Sequence, residues 1–333
     1  MCLLAARVVD LSWSKQSDKA QFYFWQVFCT IYKKMREVIS MTHTQQDIIK
    51  THPCFTEEAH ATSARLHLPV APACNIQCRY CVRKFDCVNE SRPGVTSVIY
   101  SPWEALNRVE SLIERNDRLR VVGIAGPGDP LANEMTFETL QSIHRKFPYL
   151  TLCVSTNGLA LPDRLGDLIK AGVTSITVTI NAVTPKTAEK VYAHITYRGK
   201  PYTGRQAAEI LVAKQWHGVL DSIDAGLIVK VNTVLIPGVN SHETKLIAER
   251  AREYGVDIMN ILPLIPQADF SHLNRPSHAV VETMRSICRP FVKQMAHCRQ
   301  CRADALGTLN ENKDIDLEVL MARIGEEYTE SVM

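Results

Sequence analysis

A short apolar run is followed by a longer amphipathic segment six times in succession along this sequence. The apolar runs are rich in Val and Ile, as strands buried on both faces are. They span residues 66–71, 121–125, 152–155, 175–181, 228–235 and 257–262. The amphipathic segments span residues 102–115, 135–147, 162–171, 205–219, 241–254 and 278–296. This alternation predicts a parallel α/β fold, either an open doubly wound sheet or a partial barrel.

In both architectures the functional residues gather where the carboxyl ends of the parallel strands meet. We therefore expect them in the loops that follow the apolar runs. The longest of these loops spans residues 72–95 and contains four of the chain's 11 cysteines.

The cysteine content separates this chain from ordinary globular proteins of its size. The number of cysteines, 11, is odd, the chain has 333 residues, and its first residues lack the pattern of a secretory leader. These features predict metal ligation in the reducing cytoplasm rather than a disulfide framework.

Charge and hydropathy exclude two classes of partner. The net charge is only +3, with no long run of Lys and Arg, which predicts no nucleic acid partner. The one strongly apolar run, residues 22–32, is far shorter than the roughly 20 residues that a membrane span needs. We expect no membrane partner either.

Three cysteines directly after the first apolar run carry the strongest chemical signal. Cys74, Cys78 and Cys81 have the spacing that ligates one cubane cluster and leaves its fourth iron without a protein ligand. An open iron can bind the amino and carboxylate groups of S-adenosylmethionine (SAM) and pass it one electron, which yields a 5′-deoxyadenosyl radical. Zinc would prefer a closed site with four ligands. The spacing therefore predicts a [4Fe–4S] radical SAM cluster, and Tyr80 fits the aromatic residue common in this motif.

Polar and glycine residues after the next four apolar runs are candidates for SAM binding. Each of them is also typical of ordinary turns and caps, so position is the argument for them. In radical SAM proteins a Gly-rich, acidic segment after the second strand receives the methionine ammonium on its carbonyls. The candidates are Gly126, Gly128, Asp129, Ser155, Thr156, Asn157, Asn181 and Asn232.

Five further cysteines lie in or beside the segments that should surround the top of the sheet. They are Cys54, Cys87, Cys153, Cys298 and Cys301. A single buried cysteine is most often a small hydrophobic residue, and a CxxC pair is a redox pair, half a zinc site or a cluster ligand. His67, on the first predicted strand, is by spacing alone more typical of a core residue than of a ligand. Cys2, Cys29 and Cys288 have no partner signal.

Several segments of the sequence resemble the NifB family of radical SAM proteins. They are residues 52–55 (HPCF), 65–72 (RLHLPVAP), 74–81 (CNIQCRYC) and 85–95 (FDCVNESRPGV), with shorter matches at 126–131, 155–159, 197–204, 231–240, 262–266 and 297–304. The resemblance covers roughly residues 48–308 and implies a partial (β/α)6 TIM-like barrel. It leaves residues 1–47 as an N-terminal extension of unknown role, with Met41 as an alternative start, and residues 309–333 as a polar tail.

The resemblance also implies an activity. Members of the family fuse two [4Fe–4S] precursor clusters, a carbide derived from SAM and an extra sulfur into the [8Fe–9S–C] core of the nitrogenase cofactor. The residues that match the ligands of the precursor clusters are Cys54, His67, Cys87, Cys153, Cys298 and Cys301. The implied partners are an iron–sulfur cluster donor, an electron donor and a downstream scaffold or carrier protein. The chain would be the stand-alone form, without the carrier domain that many members append.

Two other interpretations remain open from the residues. One is a different radical SAM maturase, such as a molybdenum-cofactor cyclase or a peptide maturase, although those carry a larger C-terminal set of cysteines. The other is a non-catalytic iron–sulfur or zinc protein. Iron, sulfide and zinc analysis after anaerobic reconstitution distinguishes this second alternative from a protein that holds three cubanes.

Overall fold

The structure, a computed structural model, describes residues 43–89, 96–298, 301–309 and 313–314. The chain divides after Asp47 into two units, Met1–Asp47 and Ile48–Met333, and all the described strands belong to the second unit. The alternative start at Met41 and tail residues 315–333 lie outside the described residues.

The secondary structure alternates as the sequence predicts. In chain order the strands are β1 (Ala64–His67), β2 (Ile76–Cys78), β3 (Leu119–Ile124), β4 (Thr151–Thr156), β5 (Val173–Thr179), β6 (Tyr192–Tyr197), β7 (Lys200–Thr203), β8 (Ile228–Leu235), β9 (Ile258–Pro263), β10 (Ala305–Gly307) and β11 (Lys313–Asp314). The helices are α1 (His43–Thr51), α2 (Glu57–Thr62), α3 (Pro102–Ile113), α4 (Glu134–Lys146), α5 (Leu161–Lys170), α6 (Pro185–Val191), α7 (Gly204–Asp224), α8 (Thr244–Tyr254) and α9 (His278–Cys288).

Six consecutive strands of the main sheet are parallel. Its order is β11-β10-β1-β3-β4-β5-β8-β9, and every neighbouring pair from β1 to β9 is parallel. Strands β10 and β11 extend the β1 edge in antiparallel pairing, and β9 forms the other edge. The predicted partial (β/α)6 barrel is therefore confirmed, and each of its six strands overlaps a predicted apolar run.

The helices differ from prediction mainly at their ends. Helix α9 ends at Cys288 rather than at residue 296, because Pro290 cannot continue a helix. Helix α8 begins at Thr244, later than predicted. The side chain of Asn240 instead accepts a hydrogen bond from Ile236 N at 2.8 Å and donates to Val234 O at 2.8 Å, which closes the loop before the helix.

A three-stranded antiparallel sheet was not predicted. It has the order β2-β6-β7, and β2 contains Cys78 of the cysteine motif. Strands β6 and β7 are joined by Arg198 and Gly199, which both have positive φ angles (51° and 73°), as two-residue hairpin turns require. The sequence signal was weak because β2 and β7 have only three and four residues, and β2 lies in the expected loop at residues 72–95.

Among the described residues, no helix combines the length and the apolar composition that crossing a bilayer requires.

The start of helix α3 carries a capping box that can be tested. The Ser101 side chain accepts a hydrogen bond from Glu104 N at 3.3 Å, and the Glu104 carboxylate accepts one from Ser101 N at 2.8 Å. Ser101→Ala should lower the free energy of unfolding by about 1 kcal/mol, because it leaves amide groups of the first turn without a partner. Urea unfolding of the metal-free protein measures this.

Ser286→Ala is the matched control, since Ser286 lies exposed inside helix α9. It should leave the stability unchanged or raise it slightly, because alanine favours helix interiors. Equal losses in both variants would contradict a specific role of the cap.

Candidate iron–sulfur and SAM site

The inward face of the parallel sheet carries most of the candidate residues. Side chains two positions apart on a strand face the same side. This rule places Arg65 with His67 on β1, Cys153 with Ser155 on β4, and Lys230 with Asn232 on β8. All of these side chains line one cavity inside the partial barrel.

Two adjoining cavities divide the predicted metal ligands into two sets. The larger is lined by five of the residues that match precursor-cluster ligands, Cys54, His67, Cys153, Cys298 and Cys301. The smaller is lined by Cys74, Cys78, Cys81 and Cys87, together with Tyr80, Gly128, Asp129, Ser155, Thr156 and Asn157. Asn89, Ala125 and Ser155 border both cavities. Cys87 thus lies beside the three-cysteine motif and not with the other five residues.

Local hydrogen bonds shape the loop that carries the three cysteines. Gln77, on β2, donates through Nε2 to the carbonyl oxygens of Cys78 and Cys81, both at 2.9 Å. Cys81 N also donates to Cys78 O at 3.0 Å. Because Gln77 binds both carbonyls, it folds the loop so that the thiols of the motif face one cavity.

The three thiols are neutral in the metal-free structure. Burial raises the pKa of Cys74 to about 11 and that of Cys78 well above its ordinary value. Burial also raises the pKa of Cys81, and the positive charge of nearby Arg83 offsets only part of this rise. Iron binding must therefore displace protons from these groups.

No three His, Cys, Asp or Glu side chains among the described residues are arranged to hold a single metal ion.

The segment after β3 packs directly on the backbone of the cysteine loop. Gly128 N donates to Ala71 O at 2.5 Å, and Asp129 N donates to Ala73 O at 2.8 Å. A Cβ atom at position 128 would overlap Ala73 O, so only glycine fits there. Pro127 O accepts a hydrogen bond from Cys87 N at 3.0 Å. The segment at residues 126–130 therefore binds the backbone at Ala73, next to Cys74, and the backbone N–H of Cys87.

Asp129 connects this segment to the end of β4. Its carboxylate accepts hydrogen bonds from Asn157 N at 2.6 Å, Leu131 N at 3.0 Å and the Thr156 hydroxyl at 2.9 Å. Burial raises the pKa of Asp129 to about 6, against the effect of these donors. The carboxylate is therefore mostly ionised at neutral pH. Asn157 in turn donates through Nδ2 to Asn75 Oδ1 at 2.7 Å, beside Cys74.

Tyr80, within the cysteine loop, and Asn181 form a further set of hydrogen bonds that hold this loop. The Tyr80 hydroxyl is buried, donates to Asn89 Oδ1 at 3.0 Å and accepts from Asn181 Nδ2 at 2.8 Å. Asn181 Oδ1 accepts from Val234 N at 2.8 Å. Asn181 does not line either cavity. Asn181 therefore connects the cysteine loop to β8.

His67 is oriented as a metal ligand would be. Its Nδ1 lies 3.0 Å from Arg302 O, and because a carbonyl only accepts, Nδ1 carries the proton and Nε2 has a free lone pair. Burial, followed by the charge of Arg65, lowers the pKa of His67 to about 4. His67 is therefore neutral at physiological pH, as metal ligation requires.

Sequence reasoning missed three residues of the larger cavity. Arg65 is buried and donates to Gly307 O at 2.6 Å and to Cys301 Sγ at 3.5 Å. Lys230 is also buried and lines the cavity. Buried His52 accepts at Nδ1 from Cys54 N at 3.1 Å, and its Nε2 has no hydrogen-bond partner among the described residues. For Arg65 and Lys230 the available signal was their position two residues before His67 and Asn232 on the same strands.

Comparison with known proteins places the chain among proteins with this architecture. Residues 68–251 match the radical SAM superfamily. The FeMo cofactor biosynthesis protein NifB of Klebsiella pneumoniae is 46% identical over 281 residues, which cover 82% of this chain and 60% of that protein. The NifB protein of Methanocaldococcus infernus is 41% identical over 268 residues, which cover 80% of this chain and 88% of that protein.

The fold and the three-cysteine site thus define a radical SAM enzyme, whose cofactors are a [4Fe–4S] cluster and SAM. The donor set fits that cluster, because three thiols line one cavity at the end of the first strand. The chain belongs to the NifB family within this superfamily. It spans about 60% of the length of the K. pneumoniae relative.

A distant likeness to solved structures accompanies these matches. The crystal structure of Streptococcus suis SuiB bound to S-adenosylmethionine covers 88% of this chain and 58% of its own, with 10% identity and a TM-score of 0.49. At this level of similarity the match says nothing about function.

The Asp129 network yields a test of how the SAM cavity is held. Asp129→Asn replaces one acceptor oxygen with an NH2 group, which would face the N–H of Asn157 at the Oδ2 position or the N–H of Leu131 at the Oδ1 position. The loss of a buried hydrogen bond should cost about 1–3 kcal/mol in the free energy of unfolding. SAM cleavage by the reconstituted protein should also fall, because the hydrogen bonds that hold Asn157, and through it Asn75, are weakened.

Asp117→Asn, on an exposed loop, serves as the matched control and should change neither quantity. Wild-type stability and SAM cleavage in the Asp129→Asn variant would show that this carboxylate does not hold the loop.

Proposed function

We propose that this protein is a radical SAM enzyme that fuses two [4Fe–4S] precursor clusters, a SAM-derived carbide and an extra sulfur into the [8Fe–9S–C] core of the nitrogenase cofactor. The observation that carries this proposal is the pair of adjoining cavities, one lined by the three-cysteine motif and the other by a separate set of Cys and His residues. The second cavity is lined by residues able to bind iron, which supports a metal cluster as its occupant.

The smaller cavity is the proposed site of the resident cofactor. Cys74, Cys78 and Cys81 would hold the [4Fe–4S] cluster there, which supplies the one-electron reduction that cleaves SAM. The chain's own residues do the positioning. Gly128 and Asp129 fix the loop backbone, while Thr156 and Asn157 shape the wall that faces the motif.

The larger cavity is the proposed site of the substrate, the two precursor clusters. Its donor set is Cys54, His67, Cys153, Cys298 and Cys301, and Cys87 at the border of the smaller cavity completes the proposed ligands. A neutral imidazole binds iron less firmly than a thiolate does, which suits a cluster that must later leave. His67 provides such a ligand because its free Nε2 lines this cavity.

The charges around the larger cavity also support an anionic occupant. Arg65 and Lys230 both line it, and none of its described lining residues is a carboxylate. Clusters ligated by thiolates carry negative charge, so this wall would stabilise them electrostatically. The buried Nε2 of His52 offers a further hydrogen-bond donor to sulfide or thiolate.

The proposed activity requires partners of three kinds. An iron–sulfur cluster donor must supply the precursors, an electron donor must reduce the SAM cluster, and a scaffold or carrier protein must receive the product. We propose no nucleic acid or membrane partner.

Metal analysis and isotope labelling test this function together. The protein reconstituted under anaerobic conditions should bind about 12 Fe per chain, as three cubanes require. Incubation with methyl-labelled SAM and reductant should release 5′-deoxyadenosine and place label in a metal cluster. About 4 Fe per chain with no label in a cluster would indicate a radical SAM enzyme of another kind, and zinc alone would indicate a binding protein.

His67→Ala provides a sharper test of the substrate cavity. We expect it to lose or alter one precursor cluster while SAM cleavage continues, because His67 lines the larger cavity and the three-cysteine motif lines the other. Iron content and electron paramagnetic resonance (EPR) spectra measure this.

His217→Ala, an exposed position on helix α7, is the control and should match the wild type. Unchanged precursor spectra in His67→Ala would remove His67 from the proposed ligand set.

A further inference from the structure

Gly123 occupies a distinctive position between two residues of the larger cavity. In the parallel sheet His67 on β1 pairs with Gly123 on β3, and Gly123 pairs with Cys153 on β4. These residues form one row across three neighbouring strands. Because adjacent strands lie about 4.8 Å apart, the backbones at 67 and 153 are about 10 Å apart, with Gly123 midway between them.

All members of this row line the same cavity. A side chain at position 123 would therefore project into the space between the imidazole and the thiol. A Cβ atom there would lie 2.8 Å from Cys153 Sγ, 3.0 Å from His67 Cδ2 and 3.2 Å from His67 Nε2. These distances are shorter than the roughly 3.5–4.0 Å at which non-bonded carbon atoms pack.

Backbone conformation does not explain the glycine. Gly123 is not among the glycines with positive φ, so its backbone is open to any residue. Glycine inside a strand also weakens the strand, because it loses more conformational entropy on folding than other residues do and packs no side chain. Val121, two residues earlier on β3, and Ala125, directly after the strand, do carry side chains that line the same cavity. The glycine lies instead in the row that holds the two candidate ligands.

We propose that Gly123 is a positioning residue for substrate, which keeps His67 Nε2 and Cys153 Sγ open to the space that the precursor clusters occupy. It acts through steric access alone, since it has no side chain to ligate or to donate. This inference rests on the proposed function, because it assumes that the larger cavity receives the precursor clusters. It does not require that both residues bind the same cluster.

Gly123→Ala tests this directly. The added methyl group should push the imidazole and the thiol away from the cavity, so iron bound after reconstitution should fall from about 12 to between about 4 and 8 per chain. The EPR signal of the SAM cluster and the cleavage of SAM should persist, because Cys74, Cys78 and Cys81 line the other cavity. Gly123→Val should remove more precursor iron than Gly123→Ala does.

Gly166→Ala is the matched control. Gly166 is exposed on helix α5, and a Cβ atom there meets nothing within 4 Å. This variant should bind as much iron as the wild type. The thermal unfolding midpoint of each metal-free variant shows whether the fold is retained, and the SAM cluster serves as an internal control within the same molecule.

The outcomes separate the inference from the function on which it rests. If the wild type binds only about 4 Fe per chain, the proposed function fails. If the wild type binds about 12 Fe and Gly123→Ala also does, with unchanged precursor spectra, the function stands and the role of Gly123 is overturned. Loss of the SAM cluster together with the precursor iron would also overturn it, because that result indicates general disruption.

Discussion

The close packing of the segment after β3 on the backbone of the cysteine loop is the constraint on which the rest of the site depends. Ala71 and Ala73 accept hydrogen bonds from Gly128 and Asp129, and the missing side chain of Gly128 allows the two backbones to meet. This contact holds the loop that begins at Cys74. It also fixes the end of β4, because the Asp129 carboxylate accepts hydrogen bonds from the Thr156 hydroxyl and the Asn157 backbone N–H. Three successive strand ends thereby act as one support for the SAM cavity.

The larger cavity follows a different physical logic. Burial and the charge of Arg65 keep His67 neutral, and the bond from Nδ1 to Arg302 O leaves Nε2 available. Arg65 also binds the backbone at Gly307 and contacts the Cys301 thiol. One buried cation thus connects β1 with the C-terminal segment and favours negative charge in the cavity. The two cavities border each other at Asn89 and Ser155, which agrees with the proposed transfer of carbon from SAM to a precursor cluster.

Much of the fold was predictable because the strand and helix signals are local. The six parallel strands appear as apolar runs rich in Val and Ile, and six of the helices appear as amphipathic segments, of which α3 also carries a capping box at Ser101. The small sheet of β2, β6 and β7 was not predictable, since it depends on the pairing of β2 with β6, which is far away in the sequence. The missed charges, Arg65 and Lys230, lie inside strands, where a charged residue contradicts the apolar pattern used to find the strand. Gly123 lies inside a predicted strand, and only the strand register shows that its neighbours across the sheet are His67 and Cys153.

The sequence by itself determined the six-fold alternation, the three-cysteine motif and the resemblance to one family, because these depend on residue type and spacing along the chain. Only the tertiary structure decided which cysteines share a cavity. It placed Cys87 beside the motif at Cys74 and brought Cys54, Cys153 and Cys298 together around His67. It also showed that Asn181, a candidate SAM-binding residue, links the cysteine loop to β8 and lines neither cavity. The physical reason is that cavity membership depends on strand register and on which face of the sheet a side chain occupies, and both are set by contacts between residues far apart in sequence.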